Sequence, residues 1–199
     1  MFELFESFIM ARGQFTAADL KIMRSLCTLK KLRRRQLLLR EGEVCQYKIF
    51  VSKGLLKTYQ LKNDGTEYIM KFSPENTWTT DSVSFNQRIP SQYNIEALET
   101  TEVVLWTKDN LTELVEVVPE FKVYTDRLIS NTLNATHDRL RKTISYTSEE
   151  KYQDFITSFP DVFRRVPLHM VASYLGVSRE TLSRIRHAQL KQAKENGGA

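Results

Sequence analysis

The sequence predicts an α+β chain in three parts: an N-terminal double-stranded β-roll of jelly-roll type with flanking helices, one long helix, and a C-terminal helix-turn-helix unit. Three observations predict it. Short apolar segments separated by turn residues recur at roughly ten-residue spacing from residue 36 to about 107, as in sandwiches, barrels and rolls. An unbroken helical periodicity then runs from Pro119 to about residue 145. Residues 171–186 read VASYLGVSRETLSRIR, two short amphipathic helices about a glycine turn. These patterns divide the chain at 1–118, 119–145 and 146–199.

The elements follow in order. Phe2, Phe5, Phe8 and Ile9 recur at helical spacing, and Thr16 stands as an N-cap before Leu20, Ile22, Met23 and Leu26. The basic run Lys30-Lys31-Leu32-Arg33-Arg34-Arg35 reads as a solvated edge ahead of the first strand, with nucleic-acid contact as the alternative. Strands are expected at 37–39, 47–51, 55–61, 68–72, 93–98 and 102–106. Turn residues at Gly42, Gly54, Asn63-Asp64-Gly65 and Pro74-Glu75-Asn76 separate the first five. Lys108-Asp109-Asn110 opens a short helix, and Pro119 suits the first position of the long one.

Along that long helix Phe121, Tyr124, Leu128, Leu133, Thr136, Leu140 and Ile144 trace a stripe that needs a partner. Either the roll or a second copy can cover it. The near-heptad spacing favours a two-helix seam, hence a symmetric dimer through Phe121, Tyr124, Leu128, Leu133, Thr136 and Leu140. Thr147-x-x-Glu150 is a capping box that starts the next helix. That helix ends near Phe159-Pro160, and Pro167 opens the first helix of the motif.

Within the motif, Val171, Leu175, Leu182 and Ile185 supply inward faces, and Ala172 lets the two helices approach. Gly176 takes the left-handed position after the first helix, and Ser178 caps the second. Arg179, Glu180, Ser183 and Arg184 then face outward. The first turns of such a second helix meet base edges in the major groove. Arginine suits the O6/N7 pair of guanine, and a carboxylate accepts from the cytosine amino group. Arg184 is therefore assigned to guanine, Glu180 to cytosine, Arg179 to a base or a phosphate, and Thr181 to a phosphate. Charge agrees. Of 29 Lys+Arg and 24 Asp+Glu, residues 139–199 hold 11 and 6, so the whole net +5 travels with the motif.

Other classes are disfavoured. Cys27 and Cys45 lie far apart, and His137, His169 and His187 show no ligand spacing, so neither a metal nor another cofactor is identified. No Ser/His/Asp set or glycine-rich phosphate loop points to an enzyme. The chain has no apolar run of the ~18–20 residues a membrane span needs, and its acidic start is unlike a signal peptide. A cytoplasmic protein is expected.

A roll, a long helix and a helix-turn-helix reading SRETLSRIR resemble the CRP/FNR family of bacterial transcription regulators, over nearly the whole chain. Arg179, Glu180 and Arg184 match base-contacting positions of the catabolite activator type; Glu180, Ser183 and Arg184 match those of the oxygen-responsive type. Gly42, Gly54 and Gly65 match the family's turn glycines. The resemblance implies a homodimer on a two-fold symmetric site in double-stranded DNA, often with TGA half-sites, working with RNA polymerase. It also implies a cyclic-nucleotide cassette, a Gly-Glu pair for the ribose and Arg-Ser or Arg-Ala for the phosphate. Here Thr80-Asp81 and Ser91-Gln92 stand at those positions, and Asn76 replaces the next turn glycine.

Burying a cyclic phosphate without its guanidinium costs on the order of several kcal/mol, so cAMP sensing by that cassette is not expected. Arg88 is the cation left nearby. Trp78, Thr79, Asp81, Arg88, Ser91, Gln92 and Tyr93 form either a candidate effector pocket or a filled remnant. The cysteine cluster of iron–sulfur members is missing, and the roll has no histidine for haem. The family's β-wing is not legible after Arg186, where HAQLKQAKENGGA extends the helix and then frays at Asn196-Gly197-Gly198. Lys191 and Lys194 are candidates for the wing's phosphate contacts. The rival reading is a ligand-binding regulatory module whose helix-turn-helix meets protein instead of DNA.

Overall fold

Helices α1 (Phe2–Met10) and α2 (Ala17–Ser25) open the chain. The second starts at a capping box: Thr16 Oγ1 accepts from the Asp19 amide at 3.2 Å, and Asp19 accepts from the Thr16 amide at 2.8 Å. Next come β1 (Thr28–Leu32), β2 (Leu37–Leu39), β3 (Tyr47–Lys53), β4 (Leu56–Leu61), β5 (Glu67–Ser73) and β6 (Thr77–Thr79). Helix α3 (Ser82–Gln87), β7 (Asn94–Ala97), β8 (Thr101–Thr107) and α4 (Lys108–Val117) complete the N-terminal part. The long α5 (Pro119–Ser145) leads to α6 (Ser148–Ser158), α7 (Pro160–Arg165), α8 (Leu168–Leu175) and α9 (Arg179–Asn196). This computed structural model describes residues 1–196, with side chains through Gln189. Lys191, Lys194 and the expected fraying at Gly197-Gly198 lie outside the described side chains or residues.

The strands form two antiparallel four-stranded sheets, ordered β1-β8-β3-β6 and β2-β7-β4-β5. Alternation along each strand divides its side chains between two faces. Leu39, Ile49, Val51, Leu56, Ile95, Val103 and Leu105 fill the space between the sheets. At the β3–β4 turn Gly54 has φ +95°, and a Cβ there would meet Thr101 Oγ1 at 2.5 Å and the Thr100 carbonyl oxygen at 2.7 Å. Only glycine fits that turn.

The outer face of the first sheet carries Phe50, Trp78, Val104 and Trp106. Phe5 and Ile9 of α1, Met23 of α2, Leu114 of α4 and Phe121 and Tyr124 of α5 cover it. On the second sheet, Tyr59, Ile69 and Phe72 pack instead against Phe155 of α6 and Val171 and Ala172 of α8. The roll is therefore sandwiched between its own helices and the C-terminal unit.

Three expectations need correction. The first strand begins at Thr28, not after the basic run: Lys30 and Lys31 lie within β1, which pairs only with β8. An edge strand keeps one side in water, so its lysines masked the alternation. Both β6 and α3 were missed, being three and six residues long, too short for a periodic signal. The α5 stripe is really two faces. Phe121 and Tyr124 are 0% and 6% exposed in the chain's own core, so they are not available to a partner, and Leu128 packs at that core's edge. Leu133 and Leu140 are 53% and 57% exposed, and Thr136 lies exposed between them. With 3.6 residues per turn, the five-residue step from Leu128 to Leu133 rotates the stripe by about 140°.

Candidate nucleic-acid interface and effector pocket

Leu168–Leu175 ends in a Schellman turn. The Gly176 amide donates to Ser173 O at 3.3 Å and the Val177 amide to Ala172 O at 3.1 Å, with Gly176 at φ +69°. Ser178 then caps α9 by accepting from the Thr181 amide at 3.0 Å. Val171, Ala172, Leu182 and Ile185 are buried between the helices and hold their crossing. The cap leaves Ser178, Arg179, Glu180 and Arg184 exposed on one end of α9, with Thr181 and Ser183 half-buried beside them. The Thr181 hydroxyl lies 3.0 Å from Ser178 Oγ, so it also serves the cap.

Hydrogen bonds from its own amide and from Ser178, with Arg179 and Arg184 close by, hold the Glu180 carboxyl below the usual range. The exposed tip of α9 therefore presents an ionised carboxylate near two guanidinium groups. That is a donor–acceptor pattern suited to base edges.

The expected effector residues do not form one pocket. Trp78 points away from the roll interior, donating its Nε1 hydrogen to Tyr124 Oη at 2.7 Å. Its ring lies 5.3 Å from those of Phe50 and Trp106. Asp81 caps α3, accepting from the amides of Val83 and Ser84 at 3.1 and 3.2 Å. Its other oxygen accepts from Ser91 Oγ at 2.7 Å, and Ser91 in turn accepts from the Tyr93 amide. The two substituted cassette positions thus satisfy each other. Arg88 turns outward to Asp109 at 3.0 Å, Thr79 is buried, and Gln92 is exposed.

Polar contacts that sequence reasoning missed tie the C-terminal unit to the roll. Arg165 of α7 donates to Glu75 at 2.8 and 3.0 Å and to Glu99 at 2.7 and 3.3 Å. Burial alone would raise the Glu75 pKa. Hydrogen bonds from Arg165 and the Gly54 amide outweigh it and hold the carboxyl below its usual value. Ser173 Oγ donates to Glu67 O at 2.6 Å and accepts from the Ile69 amide at 3.0 Å, extending the edge of β5. These partners lie 66 to 106 residues apart, beyond any local pattern. An open groove of about 910 Å³ also lies between the β4–β5 hairpin and the start of α9, lined by Lys57, Glu67, Glu96, His169 and Arg179.

Comparison with known proteins agrees with this architecture. Residues 29–117 match the family model of the cyclic nucleotide-binding domain. The chain is similar to the transcriptional activator protein anr of Pseudomonas aeruginosa, 25% identical over 167 residues, covering 78% of this chain and 68% of that protein. It is equally similar to the anaerobic regulatory protein of Pasteurella multocida, at 25% identity, covering 78% of this chain and 60% of the relative. The structure of FixK2 from Bradyrhizobium japonicum superposes with a TM-score of 0.69 at 19% identity, covering 86% of each chain. No described helix is long and apolar enough to cross a membrane.

Proposed function

Starting from the premise that this chain belongs to the CRP/FNR family of bacterial transcription regulators, we propose that it is a sequence-specific DNA-binding regulator. It grips a two-fold symmetric operator as a homodimer and works with RNA polymerase. The observation that carries this reading is the capped, exposed tip of α9, with Arg179, Glu180 and Arg184 side by side in water. In a dimer two such helices enter successive major grooves about 34 Å apart. Arg184 reads guanine, Glu180 accepts from cytosine, Arg179 meets a base or phosphate, Ser183 stands at a base-contacting position, and Thr181, with Ser178 beside it, faces a phosphate.

The dimer seam runs along the exposed side of α5, where Leu133, Thr136 and Leu140 continue between Ile129 and Ile144. An apolar stripe left in water favours a matching stripe. Residues 1–118 form the sensor-type roll, 119–145 the dimer helix and 146–199 the reader. The mutual satisfaction of Asp81 and Ser91 supports a regulator that works without the family's cAMP cassette.

Selection of the full chain against a randomised DNA pool at two salt concentrations tests this. Enrichment of a two-fold symmetric sequence, with affinity falling steeply with salt, is expected. Arg184→Ala should lose about 1–3 kcal/mol per half-site and relax specificity at one base pair. Equal loss on operator and random DNA would remove Arg184 from base reading. Sedimentation of Leu133→Glu/Leu140→Glu should show monomers.

A further inference from the structure

A cavity of about 660 Å³ lies where β5, the β5–β6 turn, α5, α6 and α8 meet. Small-molecule sites fall at roughly 300–1,000 Å³ and favour domain junctions. One wall is aromatic: the Tyr174 ring lies 5.4 Å from Phe72 and 5.3 Å from Phe155. Neutral polar residues, the cations Lys71, Arg139, Lys142 and Lys151 and the carboxylates Asp138 and Asp154 line the remainder. Lys142 pairs with Asp154 at 2.7 Å and Asp138 at 2.9 Å. Arg139 stacks 4.2 Å over Tyr174 and donates to the carbonyls of Met70 and Tyr174.

Lys71 differs. Its ammonium donates to Trp78 O at 2.7 Å, and among the described residues no carboxylate lies within ion-pair distance of it. We propose that this junction cavity binds a small aromatic organic anion, with Lys71 as charge partner and the exposed Phe159 ring, beside Tyr174, as the aromatic wall. The surrounding protein and the nearby Lys48 ammonium pull the Lys71 pKa down to about 8, while the residue itself is exposed toward the cavity. An anion there pairs an ammonium that otherwise has a carbonyl oxygen as its partner.

The site is separate from the roll interior, which its own aliphatic side chains fill, and neither Asp81 nor Ser91 lines it. An occupant touches the roll through Lys71, α5 through Ala135 and Arg139, and the C-terminal unit through Phe159. By linkage it therefore favours the docked arrangement over any in which these parts separate. This inference stands whether or not α9 reads DNA.

Fluorescence titration of the full chain with 1-anilinonaphthalene-8-sulfonate provides the test. The probe should bind saturably, one per chain, and Lys71→Met should weaken it about tenfold or more, the usual worth of a charge-assisted hydrogen bond. The uncharged N-phenyl-1-naphthylamine should bind Lys71→Met and the unaltered chain within about twofold of each other. Ala135→Trp, which fills the cavity from α5, should abolish both. Circular dichroism melting establishes that each variant is folded; if Lys71→Met does not fold, Lys71→Gln replaces it. Sulfonate binding that survives Ala135→Trp, or is unchanged in the folded Lys71 variant, overturns the proposal.

Discussion

The two outer faces of the roll are covered in opposite ways. On the first sheet, Phe5 lies 4.9 Å from Trp106 and 5.1 Å from Phe50, ring against ring. Within that cluster the Trp78 indole donates to Tyr124. On the second sheet an apolar centre is framed by ions: Lys57 with Glu67 and Glu96, and Arg165 with Glu75 and Glu99. Apolar rings have no substitute for one another in water, whereas water can replace an ion pair. The first face therefore joins α1, α2, α4 and the start of α5 to the roll as one body. The second joins the C-terminal unit through Phe72 against Phe155 and Tyr174 together with the Arg165 clamp, a more polar join, as interfaces between domains generally are.

The largest test of this contrast is Trp106→Ala. It should destabilise the whole chain by about 3–5 kcal/mol in urea unfolding, because the site is fully buried. A loss below about 1 kcal/mol would mean the aromatic face is no firmer than the ionic one. Arg165→Ala should weaken docking on the order of 1–2 kcal/mol. The value sits at the low end for charged hydrogen bonds because Glu75 and Glu99 keep 35% and 42% of their side chains exposed. Proteolysis near Tyr146 should then quicken while unfolding of the roll is unchanged; a matching drop in roll stability would make the clamp part of one core.

Ser173→Ala should cost about 1 kcal/mol, since it leaves the Ile69 amide and the Glu67 carbonyl to find water. Hydrogen exchange at Ile69 should rise selectively. The smallest effect is a pH slope. The Lys71 pKa lies near 8 when folded and at the ordinary lysine value of about 10.5 when unfolded. Between these values the unfolded chain holds more protons, so stability rises with pH. Lys71→Met should flatten that rise, and an unaltered slope would place the ammonium in open water.

The same contrast explains what was legible beforehand. The cap at Thr147 and Glu150, the turn at Gly176, the cap at Ser178 and the start at Pro119 all rest on contacts within a few residues. The aromatic positions Phe5, Phe50 and Trp106 could be read as core, but not which helices cover them. The candidate effector residues were chosen by place in the sequence, and packing then dispersed them. Trp78 turned to the helices, Arg88 to Asp109, and Asp81 and Ser91 to each other.

Local chemistry by itself determined the α+β order of roll, long helix and helix-turn-helix, and it placed Arg179, Glu180 and Arg184 on the exposed tip of α9. Propensity, periodicity and capping act over a turn or two, and the backbone's own hydrogen bonds enforce them. Tertiary structure alone decided which side of α5 faces the roll, which carboxylates hold Arg165, and that a cavity opens beside Lys71. Those outcomes depend on side chains tens of residues apart meeting in space, and no spacing along the chain encodes the meeting.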